Sequence, residues 1–220
     1  MSANKKSRVM MAVLSLMISL VLIGCGEKMP LISEAEGNMI YLTKDGKVTA
    51  FLVESFDKEY YSETELEKMI LSEVEDYNSQ AGAGSQKEEG QPVVLTDILS
   101  PEEKQEMGLN DAKTITVQLD YVSAQDYSAY NDTLLYWGTV AQAKTDGYPI
   151  QKDLSSPADG SVLTKAQAQE MGENHLLVLQ ESIPVQVPYK VLYVSSGVTV
   201  EGNTVTFDGT EGGFAYVIMK

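Results

Sequence analysis

Tyr121, Tyr127, Tyr130, Tyr136 and Trp137 put five aromatic side chains within 17 positions, interleaved with Asp120, Asp126, Asn131 and Asp132. Two chemistries use that mixture. Aromatic rings stack on the C–H faces of sugars while carboxylates and amides bond the hydroxyls, so Tyr121, Tyr127, Tyr130, Tyr136, Trp137, Asp126 and Asp132 could form a ligand face for a glycan. Alternatively, two of Asp120, Asp126 and Asp132 could act as the carboxyl pair of a glycoside hydrolase, which requires roughly 5–9 Å between them and one of them desolvated. A third reading needs no ligand: tyrosines close the core between short helices, burying the ring and keeping the hydroxyl wet. The spacing selects no carboxylate pair.

The rest of the inventory excludes more than it offers. His175 is the only histidine and Cys25 the only cysteine. One histidine cannot assemble a zinc site, and no Gly-x-Ser-x-Gly elbow is present to mark a serine nucleophile. His175 heads His175-Leu176-Leu177-Val178-Leu179, an apolar run that reads as a buried strand, so a structural histidine is expected. Asp45-Gly46, Asp159-Gly160 and Asp208-Gly209 lack the repeated acidic positions of a calcium loop and read as turns. No catalytic residue, metal site or cofactor is assigned, which favours binding over catalysis.

The N-terminus carries Lys5, Lys6 and Arg8, then an apolar stretch over residues 9–23. That stretch is shorter than the ~20 residues a membrane-spanning helix needs. It ends in Leu22-Ile23-Gly24-Cys25, which resembles the lipobox of bacterial lipoproteins. The resemblance implies cleavage after Gly24 and a diacylglyceryl group on the Cys25 sulfur. Two acyl chains anchor stably where one binds only marginally. With Gly26 rather than Asp next in line, the expectation is an extracytoplasmic protein tethered to a Gram-positive cell membrane. Acylation would also consume the only thiol.

Loss of residues 1–24 removes Lys5, Lys6, Arg8 and no acid, leaving 13 of the 16 basic residues against 32 carboxylates, a formal charge of −19. Arg8 is the only arginine. Arginine is the usual bidentate partner of phosphate, so nucleotides and nucleic acids are not expected partners. The acidic charge keeps a secreted domain soluble and away from anionic surfaces. The partners that remain are the membrane, through the lipid, and a cell-envelope glycan or protein.

These residues must be positioned by elements the pattern describes. Residues 39–43 and 48–53 are β-favouring runs joined through Asp45-Gly46, a hairpin signal. Ser62 with Glu65 reads as a capping box for an amphipathic helix over about 63–79, with Leu66, Met69, Ile70, Val74 and Tyr77 on one side. Strands are expected at 93–99, 114–121, 175–180, 185–194, 198–200, 204–207 and 214–219. Short helices are expected after Ser100, Ser123, Thr139 and Thr164. The sum is an α+β fold with a mainly antiparallel sheet, one longer helix and several short ones. The organisation read from it is a signal segment 1–24, a tether 25–36, a hairpin-helix unit 37–80, a Gly/Ser/Glu-rich connection 81–92 and a main body 93–220, either separate from 37–80 or one domain with it.

The order lipobox, Asp-Gly hairpin, Phe56-Asp57-Lys58-Glu59-Tyr60-Tyr61, glutamate-rich helix ending Glu75-Asp76-Tyr77-Asn78, and Pro188-Tyr189-Lys190-Val191-Leu192-Tyr193-Val194-Ser195 resembles uncharacterised surface lipoproteins of clostridial type. That resemblance implies location and architecture, and carries no activity with it.

Overall fold

The computed structural model describes residues 29–81, 90–109, 113–209 and 213–220. Gly24, Cys25 and most of the expected 81–92 connection lie outside the described residues. In chain order the strands are β1 (Met39–Leu42), β2 (Val48–Ser55), β3 (Val93–Leu99), β4 (Thr114–Tyr121), β5 (Leu135–Thr139), β6 (Leu154–Ser155), β7 (Val162–Leu163), β8 (His175–Leu179), β9 (Val185–Gln186), β10 (Val191–Val194), β11 (Val198–Glu201), β12 (Thr204–Phe207) and β13 (Ala215–Met219). The helices are α1 (Glu63–Gln80), α2 (Pro101–Glu106), α3 (Ala124–Tyr130), α4 (Val140–Thr145) and α5 (Lys165–Gln169), and one 3-10 turn spans Ile32–Glu34.

The fold is α+β, and its strands form two sheets where the sequence suggested one. A seven-stranded sheet has the order β11-β12-β9-β1-β2-β4-β3, and a six-stranded sheet has the order β5-β8-β13-β10-β6-β7. All described pairings are antiparallel except β1 with β9, where Ile40 faces Val185 in parallel register. Between those two strands the chain forms β2, β3 and β4 of the same sheet and β5 to β8 of the second, so no hairpin constrains their relative direction. The first sheet is therefore mixed.

Burial explains the partition. β13 is buried at every position, and β8 at all but His175. Continuous apolar strands of this kind are covered on both faces. Leu177, Leu179, Ala215, Val217 and Met219 join Ile40, Val48, Ala50, Val117, Leu119 and Val205 in a core between the sheets. Leu176, Val178, Tyr216 and Ile218 point the other way, into a second core closed by Val140 and Ala143 of α4, Ala168 of α5, Ile150 and Leu154. Helix α1 shares the first core through Val74, with Leu66, Ile70 and Tyr77 packed at its border, whereas Met69 is 53 % exposed.

Local chemistry sets most element boundaries. Gly46 turns the β1–β2 hairpin at φ +84°, a conformation costly for any side chain with a Cβ. Ser100, Thr139 and Thr164 cap their helices reciprocally with Glu103, Gln142 and Gln167. The expected box at Ser62 is one-sided: its hydroxyl accepts the Glu65 amide at 3.3 Å. The expected strand 185–194 is two strands in different sheets. Pro188 has no N–H to offer a ladder, and the chain crosses from one sheet to the other there. β5, β6 and β7 were not expected. Leu135-Tyr136-Trp137-Gly138-Thr139 is rich in strand formers but contains a glycine, and the other two strands are only two residues long.

Candidate functional site

Strand alternation separates the residues of the aromatic run. Tyr121 points into the core while Asp120, one residue earlier on β4, points to the opposite face. Tyr121 and Tyr127 are 2 % and 3 % exposed, with ring centroids 5.0 Å apart and edge-to-face. Tyr130 meets both Tyr121 (5.8 Å) and Tyr77 (5.5 Å) in the same manner. The Tyr127 hydroxyl donates to Glu181 at 2.9 Å, and Asn131 Nδ2 donates to the Tyr121 oxygen at 3.3 Å. Burial pushes both hydroxyls well above the usual tyrosine range, and Glu181 adds to the effect at Tyr127. These three rings fasten α3 and α1 to the sheet; Tyr121 and Tyr127 are closed off in the core, and Tyr130 is partly buried and borders a groove beside α1.

The carboxylates of the run do not converge either. Asp120 accepts the hydroxyls of Thr49 and Thr96 and Gln118 Nε2, across three neighbouring strands. Asp126 accepts from Ser123 Oγ at 2.5 Å and from the Tyr77 hydroxyl at 3.3 Å, while its amide donates to Ser123 Oγ. It belongs to the cap of α3. Asp132 adopts a left-handed backbone conformation (φ +50°) in the turn leading to β5.

Tyr136 and Trp137 have a different environment. β5 is the edge strand of the six-stranded sheet, and a groove of about 510 Å³ runs along it. Tyr136, Trp137, Tyr148, Asp45, Asp146 and Gln125 line this groove, together with Ser123 and Ser128. Asp126 and Asp132 are not among the lining residues. The Tyr136 hydroxyl donates to Asp146 Oδ2 at 2.9 Å, and its ring lies 4.9 Å from that of Tyr148. Burial and Asp146 together raise the Tyr136 hydroxyl far above the ordinary range. Ser128 Oγ closes part of the strand edge, donating to the Leu135 carbonyl at 3.0 Å and accepting its amide at 2.8 Å.

Trp137 is held from behind. Its ring lies parallel to His175 at 5.2 Å, His175 lies parallel to Tyr189 at 4.1 Å, and Lys44 Nζ stands 5.5 Å from the Tyr189 centroid. On its edge, a Cβ at Gly46 would come within 3.0 Å of Trp137 Cδ1, so the hairpin turn fits against the indole only as glycine. Asp45 beside it accepts from Thr43 Oγ1 at 2.6 Å, which holds its carboxyl below the usual range with help from Lys47 at 3.2 Å.

No known protein family, curated protein or solved structure matches the chain. The site must therefore speak through its own geometry. Asp45, Gln125 and the pair Asp146 and Tyr148 come from three separate segments, which is why the sequence alone did not group them with Trp137. Among the described residues, no group of three His, Cys, Asp or Glu side chains could hold a metal ion, and no helix is long and apolar enough to cross a membrane.

Proposed function

We propose that this chain is a lipid-anchored, extracytoplasmic binding module that takes an envelope glycan in the β5-edge groove without turning it over. The observation that carries this reading is the groove wall. Tyr136, Trp137 and Tyr148 line it, and Asp45, Asp146 and Gln125 stand among them as hydrogen-bond partners. Sugars are recognised by this division of labour, with apolar faces on rings and hydroxyls on fixed polar groups. The anchor is supported by Leu22-Ile23-Gly24-Cys25 after its basic and apolar run. In this reading α1 is an amphipathic brace behind the site, coupled to α3 through Tyr77 and Tyr130. The acidic charge and the single arginine favour neutral sugars over phosphate-bearing polymers.

The test is direct binding of neutral cell-envelope oligosaccharides by calorimetry and on a glycan array. Tyr148→Ala and Trp137→Ala should each weaken binding at least ten-fold while far-ultraviolet circular dichroism is retained. No binding to any neutral glycan would refute the proposal. Release of reducing ends from a bound glycan would replace it with the carboxylate hydrolase alternative. For the anchor, palmitate labelling should vanish in Cys25→Ala, and persistence of the label would contradict it.

A further inference from the structure

A second groove, of about 560 Å³, lies between α1 and the seven-stranded sheet, on ground the glycan reading does not use. We infer that it docks a cationic amphipathic peptide segment, apolar side chains inward and lysines or arginines at the rim. The floor is aliphatic, formed by Leu52, Val117 and Leu119, and α1 supplies Leu66, Met69 and Ile70 as one wall. Tyr60 and Met69 at its mouth are 78 % and 53 % exposed, so apolar surface on both sides remains uncovered. Scattered exposed side chains need no explanation, but a continuous groove lined by them does.

Charge decides the occupant. Glu54, Glu65 and Glu73 line the groove and, among the described residues, no basic side chain does. A fatty acid or an anionic lipid surface would bring like charge to these three carboxylates. A second copy of this chain, with formal charge −16, would do the same. Glu65 and Glu73 sit about two turns apart on α1, so a helix lying along the groove with apolar anchors at i, i+3/i+4 and i+7 could set its cations opposite them. The volume suits a few side chains, so the peptide backbone stays at the rim where the glutamates are.

The experiment is fluorescence anisotropy with three labelled 15-residue peptides: a Leu/Lys amphipathic helix, a Ser/Lys peptide of equal charge and a Leu/Glu helix. The Leu/Lys peptide should bind, the other two at least ten-fold more weakly. Glu54→Lys combined with Glu73→Lys should abolish Leu/Lys binding, and Met69→Ser should reduce it several-fold with circular dichroism unchanged. Tyr148→Ala should leave it intact, which separates this groove from the glycan site. Equal binding of Ser/Lys, or indifference to both groove variants, would overturn the inference by reducing the effect to net charge. Saturable uptake of a fluorescent fatty acid that displaces the peptide would overturn it in favour of a lipid site. A concentration-dependent dimer lost in Met69→Ser would overturn it in favour of self-association.

Discussion

The His175 imidazole lies flat on the Tyr189 ring, with centroids 4.1 Å apart and planes 9° from parallel. Trp137 also lies parallel to it at 5.2 Å and to Tyr189 at 6.0 Å, and Lys44 Nζ stands 5.5 Å from the Tyr189 centroid. Burial lowers the pKa of this histidine below its ordinary value.

The sign of the resulting pH dependence follows. Between the lowered native value and the ordinary value of about 6.5, the unfolded chain binds a proton that the native chain refuses. Stability from the neutral ring is thus complete above pH ~6.5 and is lost as pH falls towards the native pKa. The wild-type protein should lose more stability than His175→Phe between pH 7 and pH 5, measured as the difference in urea midpoints. Parallel curves for the two proteins would refute this.

Thr116 is fully buried on β4, and its Oγ1 has no hydrogen-bond partner among the described residues. A buried hydroxyl without a partner costs free energy that a methyl group of the same shape does not. Thr116→Val should therefore stabilise the protein by about 1 kcal/mol in urea unfolding. A destabilised variant would show that the hydroxyl has a partner after all.

Asn78, 4 % exposed on α1, imitates a strand for β3: its Oδ1 accepts the Val93 amide at 3.0 Å and its Nδ2 donates to the Val93 carbonyl at 2.8 Å. Alanine there would strand two buried backbone groups. Asn78→Ala should cost about 3 kcal/mol, visible in chemical denaturation. Asn78→Asp should fall short of rescue because it keeps the acceptor and loses the donor.

Gly138 makes room for Tyr136. A Cβ at residue 138 would lie 2.6 Å from the Tyr136 oxygen and 3.0 Å from Cζ. Gly138→Ala should push the ring aside, at a cost of about 1 kcal/mol in stability, and break its bond to Asp146. An ultraviolet pH titration should then show one additional tyrosine ionising near the ordinary value of about 10. Under the proposed function, glycan affinity should drop with it.

The local parts of this architecture were legible in the sequence because their causes are local. Ser123 before α3, Pro101 opening α2 and Asp45-Gly46 at the first hairpin each act within a few residues. The break at Pro188 was written there too, but the apolar residues on either side suggested a single strand. Sheet membership, by contrast, depends on residues far apart in the chain. The aromatic run looked like one cluster since neighbours in sequence were treated as neighbours in space. β4 and α3 carry Tyr121, Tyr127 and Tyr130 into the core, while the edge strand β5 carries Tyr136 and Trp137 to a groove. The other half of that groove comes from segments with no sequence signal linking them.

The parallel pairing of Ile40 with Val185 has a consequence for biogenesis. A chain that emerges N-terminus first can zip β1, β2, β4 and β3 by neighbouring antiparallel contacts, but the outer edge of β1 then waits until Val185 and Gln186 arrive about 145 residues later. Non-local closure of this kind is slow, and an open strand edge invites pairing with other chains while it lasts. The interval before β9 docks is when the nascent protein most needs shielding, and a truncation before residue 185 would make that interval permanent.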